Sequence, residues 1–178
     1  MTSFTRPSVT VAGMLIYETD TQSLVMRNSA NTAWVVILTG QTLYNTSNTT
    51  VTTNSTSFGN GTGGTTPGIG FVAPPSGEVL LHYSCSMTPG ATTAQATQYF
   101  APHVKTGASV DVGTDVVVAA DADAFRFGMG GVVIKIRGGA HRVIPSLTPG
   151  QTYNVKMKVK HAGTAGTVEE MKVIVQPM

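Results

Sequence analysis

Charge is scarce in this chain. Of its 178 residues only 11% are Asp, Glu, Lys or Arg, against roughly a quarter in ordinary soluble proteins, which argues against a solvated helical protein laced with ion pairs. Cysteine is scarcer still. The single Cys85 excludes an internal disulfide and any cysteine-rich metal site, and its place within the apolar run Val79 to Met87 predicts a buried thiol rather than a nucleophile. There is one tryptophan, aromatic residues make up 7%, and no apolar run approaches the roughly 20 residues of a membrane-spanning helix. The opening Met-Thr-Ser-Phe-Thr-Arg-Pro has none of the apolar core of a secretory signal. Folding in a reducing cytoplasm with no membrane span is the expectation.

Signatures of catalysis are missing as well. The chain shows no paired catalytic carboxylates, no Gly-x-Ser-x-Gly elbow and no phosphate loop. Gly128-Met129-Gly130-Gly131 is glycine-rich, but no helix bearing Lys or Ser/Thr follows it, so it reads as a sheet turn. The four histidines, His82, His103, His141 and His161, have no i, i+2 or i, i+4 spacing, and sequence gives no zinc signal. Asp121 and Asp123 alternate, so they share a face that would hold calcium together with Asp115 or Asp111; a polar turn between strands is the simpler reading. A non-enzymatic protein with no cofactor and no metal is expected.

What the chain does have is threonine throughout, 20 glycines and a mean hydropathy of +0.11, the composition of β structure, often within a larger assembly. From residue 75 to 178, short apolar runs recur between Gly, Pro, Asp and Thr turns, including Glu78 to Met87, Gln98 to Lys105, Val132 to Arg137, His141 to Ile144 and Val168 to Val175. This spacing predicts an antiparallel sandwich or jelly roll. In Thr152 to His161 the alternation is clearest: Tyr153, Val155, Met157 and Val159 face one side, and Asn154, Lys156, Lys158 and Lys160 the other. One buried and one solvated face is the expectation, and without interleaved aromatics the lysines do not indicate nucleic acid. Tyr99, Phe100 and Phe125 are the aromatics available for a ligand site, and they suit a core equally well.

Residues 39–74 change abruptly to Thr, Ser, Asn and Gly and predict a linker or stalk. Its Asn-x-Ser/Thr matches at Asn45, Asn48, Asn54 and Asn60 are by-products of that composition. Residues 1–38 predict an extended arm followed by a small β-meander, Met14 to Tyr17, Leu24 to Arg27 and Trp34 to Leu38, with turns at Thr19-Asp20-Thr21 and Asn28 to Asn31. Both faces of these strands are apolar, and three short strands are marginal alone, so a partner surface must cover one face. Met14, Ile16, Tyr17, Leu24, Met26, Trp34 and Val36 are the candidate attachment or oligomerisation residues.

The string Gly13-x-x-Ile16-Tyr17-x-Thr19-Asp20-Thr21-x-x-Leu24, followed by Trp34, resembles a module at the stems and collars of bacteriophage tail fibres, spikes and head fibres. The C-terminal order is Pro75-Ser76-Gly77 before an apolar strand, Leu147 to Tyr153, an alternating strand, a Gly-rich hairpin and Val173-Ile174-Val175-x-Pro177. It is similar to the jelly-roll domain of virion proteins from phages of actinobacteria, alike in architecture to trimeric tumour-necrosis-factor-like heads. Where such heads carry arginines in the final strand and after its proline, this chain has Glu169, Glu170 and Lys172. The resemblance implies a non-enzymatic virion protein, a homotrimer anchored to capsid or tail proteins through its N-terminal segment, as capsid decoration, head fibre or short tail fibre. Its alternative is a tail-fibre module that binds a receptor or glycan on the host surface; a cell-wall hydrolase lacks its acid and base.

Overall fold

Extended backbone is what a chain this rich in Thr and Val favours, because β-branched side chains pack well on a pleated surface and lose freedom in helices. The computed structural model describes residues 5–8, 10–19, 23–28, 30–38, 42–90, 96–129 and 134–178, and among these the chain is all-β, with three antiparallel sheets and no α-helix. The first sheet is the predicted meander: β1 (Leu15–Glu18), β2 (Ser23–Arg27) and β3 (Trp34–Leu38), in the order β1-β2-β3. Its second turn closes as an Asn turn should. The Asn28 side-chain oxygen accepts the N–H groups of Thr32 (2.8 Å) and Ala33 (3.2 Å), while Asn31 sits at φ +54°, a region Asn tolerates. The first turn falls on Asp20 and Thr21, which lie outside the described residues, as do Met1 to Phe4 of the predicted arm.

The remaining strands are β4 (Leu43–Ser47), β5 (Val51–Thr53), β6 (Gly68–Val72), β7 (Val79–Pro89), β8 (Ala96–Thr106), β9 (Asp115–Val117), β10 (Phe125–Met129), β11 (Ile136–Ile144), β12 (Thr152–Ala162) and β13 (Gly166–Pro177). One sheet runs β11-β7-β13-β4 with β5 also on β13; the other runs β10-β8-β12-β6 with β9 also on β8. Setting aside the short β5 and β9, the first, eighth, third and sixth strands make one sheet and the second, seventh, fourth and fifth the other. That is the jelly-roll order. The core lies between the sheets, where Leu81, Tyr83, Cys85 and Met87 of β7 and Met171, Val173 and Val175 of β13 meet Phe100 and Val104 of β8 and Tyr153, Val155, Met157 and Val159 of β12. Cys85 is fully buried, and burial pushes its thiol well above the ordinary thiol range.

Three expectations are corrected. Residues 43–72, read as a linker, are built into both sheets: β4 and β5 pair with β13, and β6 pairs with β12. The reason is a free edge. Beyond β6 the rim of β12 still needs partners, and Met157 N–H bonds Pro67 O (3.0 Å), Val159 exchanges bonds with Gly59 (2.8 and 3.0 Å), and His161 N–H bonds Ser55 O (2.9 Å). Second, Ile136 to Ile144 is one continuous strand rather than two. Gly138 and Gly139 mark close packing within it, since a Cβ on Gly138 would meet the Phe125 ring at 2.5 Å and one on Gly139 would meet Tyr83 O at 2.4 Å. Gly130 and Gly131 of the predicted turn, and residues 132 and 133 of the predicted strand, lie outside the described residues. Third, the polar side of β12 is not solvated: Asn154 and Lys158 are buried.

Because Phe71 is buried in the core from within the former linker, Phe71→Ala is expected to destabilise the jelly roll by ~3–5 kcal/mol, the cost of deleting a core aromatic. Limited proteolysis of the wild-type chain checks the same placement independently: residues 45–68 should resist cleavage as long as the sandwich does, whereas early cutting there would restore the linker.

Candidate functional site

In the meander, register sorts the candidate attachment residues onto two faces. Ile16 lies opposite Val25, and Arg27 opposite Trp34; with Glu18 they share one side, since β1 and β2 alternate. The chain itself covers this side. Val25 and Glu18 are buried, the Arg6 guanidinium forms a two-pronged ion pair with Glu18, one prong at 3.1 Å, and Arg27 lies 5.6 Å from the Trp34 ring. The arm is tied at a second point, where Thr10 and Asn31 exchange bonds of 2.9 Å. On the other side Leu15 and Tyr17 are 54% and 52% exposed, with Met26 and Leu24 as their cross-strand neighbours. Met14 precedes β1 and bonds its N–H to Val11 O (3.1 Å). Val36 pairs with Val25 in backbone register, and its side chain lies outside the described residues. Of the seven candidates, Tyr17, Leu24 and Met26 therefore share one apolar side with Leu15, which sequence reading did not single out; Leu15 and Tyr17 are its exposed members and Leu24 and Met26 are half-buried.

On the jelly roll, the outward residues of β12 are covered by the stretch 55–67 and the loop 107–112. Asn154 is fully buried; its amide group donates to Gly107 O and Val112 O (both 3.0 Å), and its carbonyl accepts the Asp111 N–H (2.9 Å). Lys158, 8% exposed, donates to Asp111 (2.7 and 2.8 Å) and Asn60 (2.8 Å). Burial pushes the Asp111 carboxyl up, but the hydrogen bonds from Lys158 and Asn60 and the charges of Lys158 and Lys105 outweigh it, leaving it below the ordinary range. Lys156 bonds Thr66 O, and burial lowers its ammonium. The Lys160 ammonium lies 4.8 Å from the Phe58 ring and 4.6 Å from that of Tyr99. These lysines are committed to the fold.

The proposed calcium carboxylates are dispersed. Asp111 pairs with Lys158, Asp115 with His103 (2.8 Å), Asp121 with Lys160 and Asp123 with Arg142, and among the described residues no group of three His, Cys, Asp or Glu is arranged to hold a metal. Asp121 to Asp123 form a short 3-10 turn, as the simpler reading anticipated. Of the aromatics singled out, Phe100 is core, Phe125 packs against the core, and Tyr99 meets Phe58 edge-on at 6.3 Å.

The outer face of the β11-β7-β13-β4 sheet carries a constellation that sequence reading missed. His82 of β7 and His141 of β11 are register partners with ring centroids 6.2 Å apart, and they border a shallow depression of about 260 Å³ also lined by Ser84, Gly139, Lys172 and Ile174. Tyr44, 67% exposed, stands at the rim with the Lys172 ammonium 5.7 Å from its ring. Nothing in linear spacing signals this group, because only antiparallel register brings these strands together, and Tyr44 sits in the misread linker.

No protein family and no curated protein matches the chain. Among solved structures, the CBM22-1 xylan-binding domain of Paenibacillus barcinonensis Xyn10C is similar over 96% of this chain and 99% of its own, at 12% identity and a TM-score of 0.32. That likeness is too distant to transfer a ligand or a role.

Removing the partner of a largely buried ammonium is the sharpest test of the Lys158 cluster. Asp111→Ala is expected to destabilise the jelly roll by roughly 1–3 kcal/mol, between the limits for exposed and buried pairs, and Lys158→Met in the same chain should recover part of the loss. Since the folded carboxyl titrates below its unfolded value of about 3.9, this contribution is complete above that pH and is lost as pH falls through the folded value. Chemical denaturation of the three proteins at pH 7 and pH 3 reads both effects; Asp111→Ala melting like wild type at pH 7 would refute the cluster's role.

Proposed function

We propose that this chain is a non-enzymatic structural protein of a bacteriophage virion, with the meander as its anchor to capsid or tail proteins and the jelly roll as the displayed body. The carrying observation is the meander's asymmetry. Among the described residues its strands share no ladder with the sandwich, one face is sealed by the chain's own Arg6–Glu18 pair, and the other keeps Leu15 and Tyr17 more than half exposed. An open apolar face on a separate small sheet is an attachment surface in physical terms, because burying it against a partner removes the cost of hydrating it. The motif around Gly13 to Leu24 and the jelly-roll order of the body support the phage assignment, and low charge supports assembly as a homotrimer. With β4, β5 and β6 paired into the sandwich, residues 43–72 do not serve as a shaft, which favours capsid decoration or head fibre over tail fibre.

A second reading, that the jelly roll also binds a host-surface ligand, is favoured by one observation: exposed Tyr44 beside the His82–His141 depression.

Burial of one leucine contributes about 1.5–3 kcal/mol, so Leu15→Asp is expected to weaken incorporation into virions roughly ten- to a hundredfold while the jelly roll melts as in wild type. Quantifying the protein on purified particles checks this, and full incorporation of the variant counts against the anchor. Sedimentation of the free protein at micromolar concentration should show a trimer; a monodisperse monomer contradicts the assembly proposed.

A further inference from the structure

The outer face of the β11-β7-β13-β4 sheet belongs to the jelly roll and not to the meander proposed as the anchor. Two cross-strand rows run over it. His141, His82, Ile174 and Tyr44 stand side by side in one row, one from each strand, and Gly139, Ser84, Lys172 and Thr46 in the next. The second row is low at Gly139 and Ser84, which creates the depression, and higher at its neighbours. A residue with a side chain cannot replace Gly139 without moving the backbone, because its Cβ would stand 2.4 Å from Tyr83 O. The floor is thus held flat by the fold.

Among the residues that border the hollow, Lys172 carries the formal charge. Glu169 and Glu170, which lie toward one end of the same strand, are both taken by Lys135 (3.1 and 3.2 Å), and among the described residues no carboxylate pairs with Lys172. An ammonium, two imidazoles and the Ser84 hydroxyl therefore border one small open hollow. This is a donor set for an anion that also carries hydroxyl groups. Next to it, Ile174 and the Tyr44 ring offer an apolar shelf with a polar tip, which suits the ring of a sugar rather than a bare inorganic ion. The hollow is somewhat smaller than the pockets that engulf drug-sized ligands, so it fits one sugar residue of a chain that continues along the row.

We propose that this hollow binds a uronic-acid residue of an acidic polysaccharide, with the carboxylate at Lys172 and the imidazoles and the sugar ring along Ile174 and Tyr44. The inference rests on the ligand-binding reading of the jelly roll and is independent of the meander's role as an anchor. A single shallow site binds weakly, and several copies on one particle raise the effective affinity without any new contact.

The test uses the full chain, titrated by NMR with a galacturonic acid oligomer, with a neutral galactose oligomer of the same length, and with inorganic phosphate. The uronic oligomer is expected to shift the resonances of Ser84, His141 and Lys172, to bind at least tenfold tighter than the neutral one, and to weaken as salt is added. Lys172→Gln and His141→Gln, both surface changes on intact strands, should each lower its affinity tenfold or more, while Lys105→Gln on the other sheet leaves it unchanged. Binding that survives both substitutions overturns this site but leaves a ligand-binding jelly roll with its site elsewhere. Failure of every probe to bind overturns the inference together with the ligand-binding reading, and phosphate binding as tightly as the oligomer overturns the assignment to a sugar.

Discussion

The pairing of β13 on both of its edges is the constraint on which the rest of the jelly roll depends. β7 runs along one edge for nearly its whole length, and β5 and then β4 occupy the other. Val168, Met171, Val173 and Val175 all point into the core, yet the step from 168 to 171 is odd, and strict alternation would turn either Val168 or the last three outward. A bulge between Glu169 and Lys172 absorbs the extra residue, with Glu170 at φ +51°. The bulge also aims Glu170 at Ser86 and Lys135, whose hydrogen bonds hold its carboxyl below the ordinary range against a small opposing effect of burial. Past the bulge, Lys172 and Ile174 regain their outward phase. The same correction that fills the core thus places Lys172 and Ile174 beside the depression on the outer face.

On the opposite sheet, β12 illustrates how a correct pattern supports a wrong environment. The alternation of Tyr153, Val155, Met157 and Val159 against Asn154, Lys156, Lys158 and Lys160 is present in the structure, and the first set is buried as expected. Alternation says which residues share a side, not what covers it. Long lysine stems tolerate cover when each ammonium reaches an acceptor, and here Thr66 O, Asp111 and Asn60, and Asp121 supply them. Asn154 fixes the loop 107–112 that provides Asp111, and the stretch 55–67 provides Asn60 and Phe58. A chain with few charges has used most of its lysines on that sheet to fasten loops.

Strand content and the jelly-roll body were legible because apolar runs and turn residues follow local rules; β7, β8, β12 and β13 lie where their patterns place them. The segment 39–74 was not, since its few apolar residues, Val51 and Phe71 among them, are too sparse to register as strands. Its threonines read as solvated spacers, although Thr53 is buried and its hydroxyl donates to Gly166 O (3.0 Å) and accepts the Gly166 N–H (3.1 Å). Need for edge strands is a property of the finished sheet, invisible in a window of ten residues. The same holds for His82 and His141, and for the meander, where sequence showed two apolar faces but not that Arg6 and Glu18 would seal one of them.

That the former linker belongs to one cooperative unit with β13 is the claim on which the fold, the covered β12 face and the Tyr44 rim all rest. Native-state hydrogen exchange measures it residue by residue. The slowest amides of Val51 to Thr53 and Ile69 to Val72 are expected to exchange with the same opening free energy as those of Val173 and Val175. Exchange of the former at the rate of an unstructured peptide, while β7 and β13 stay protected, would contradict it.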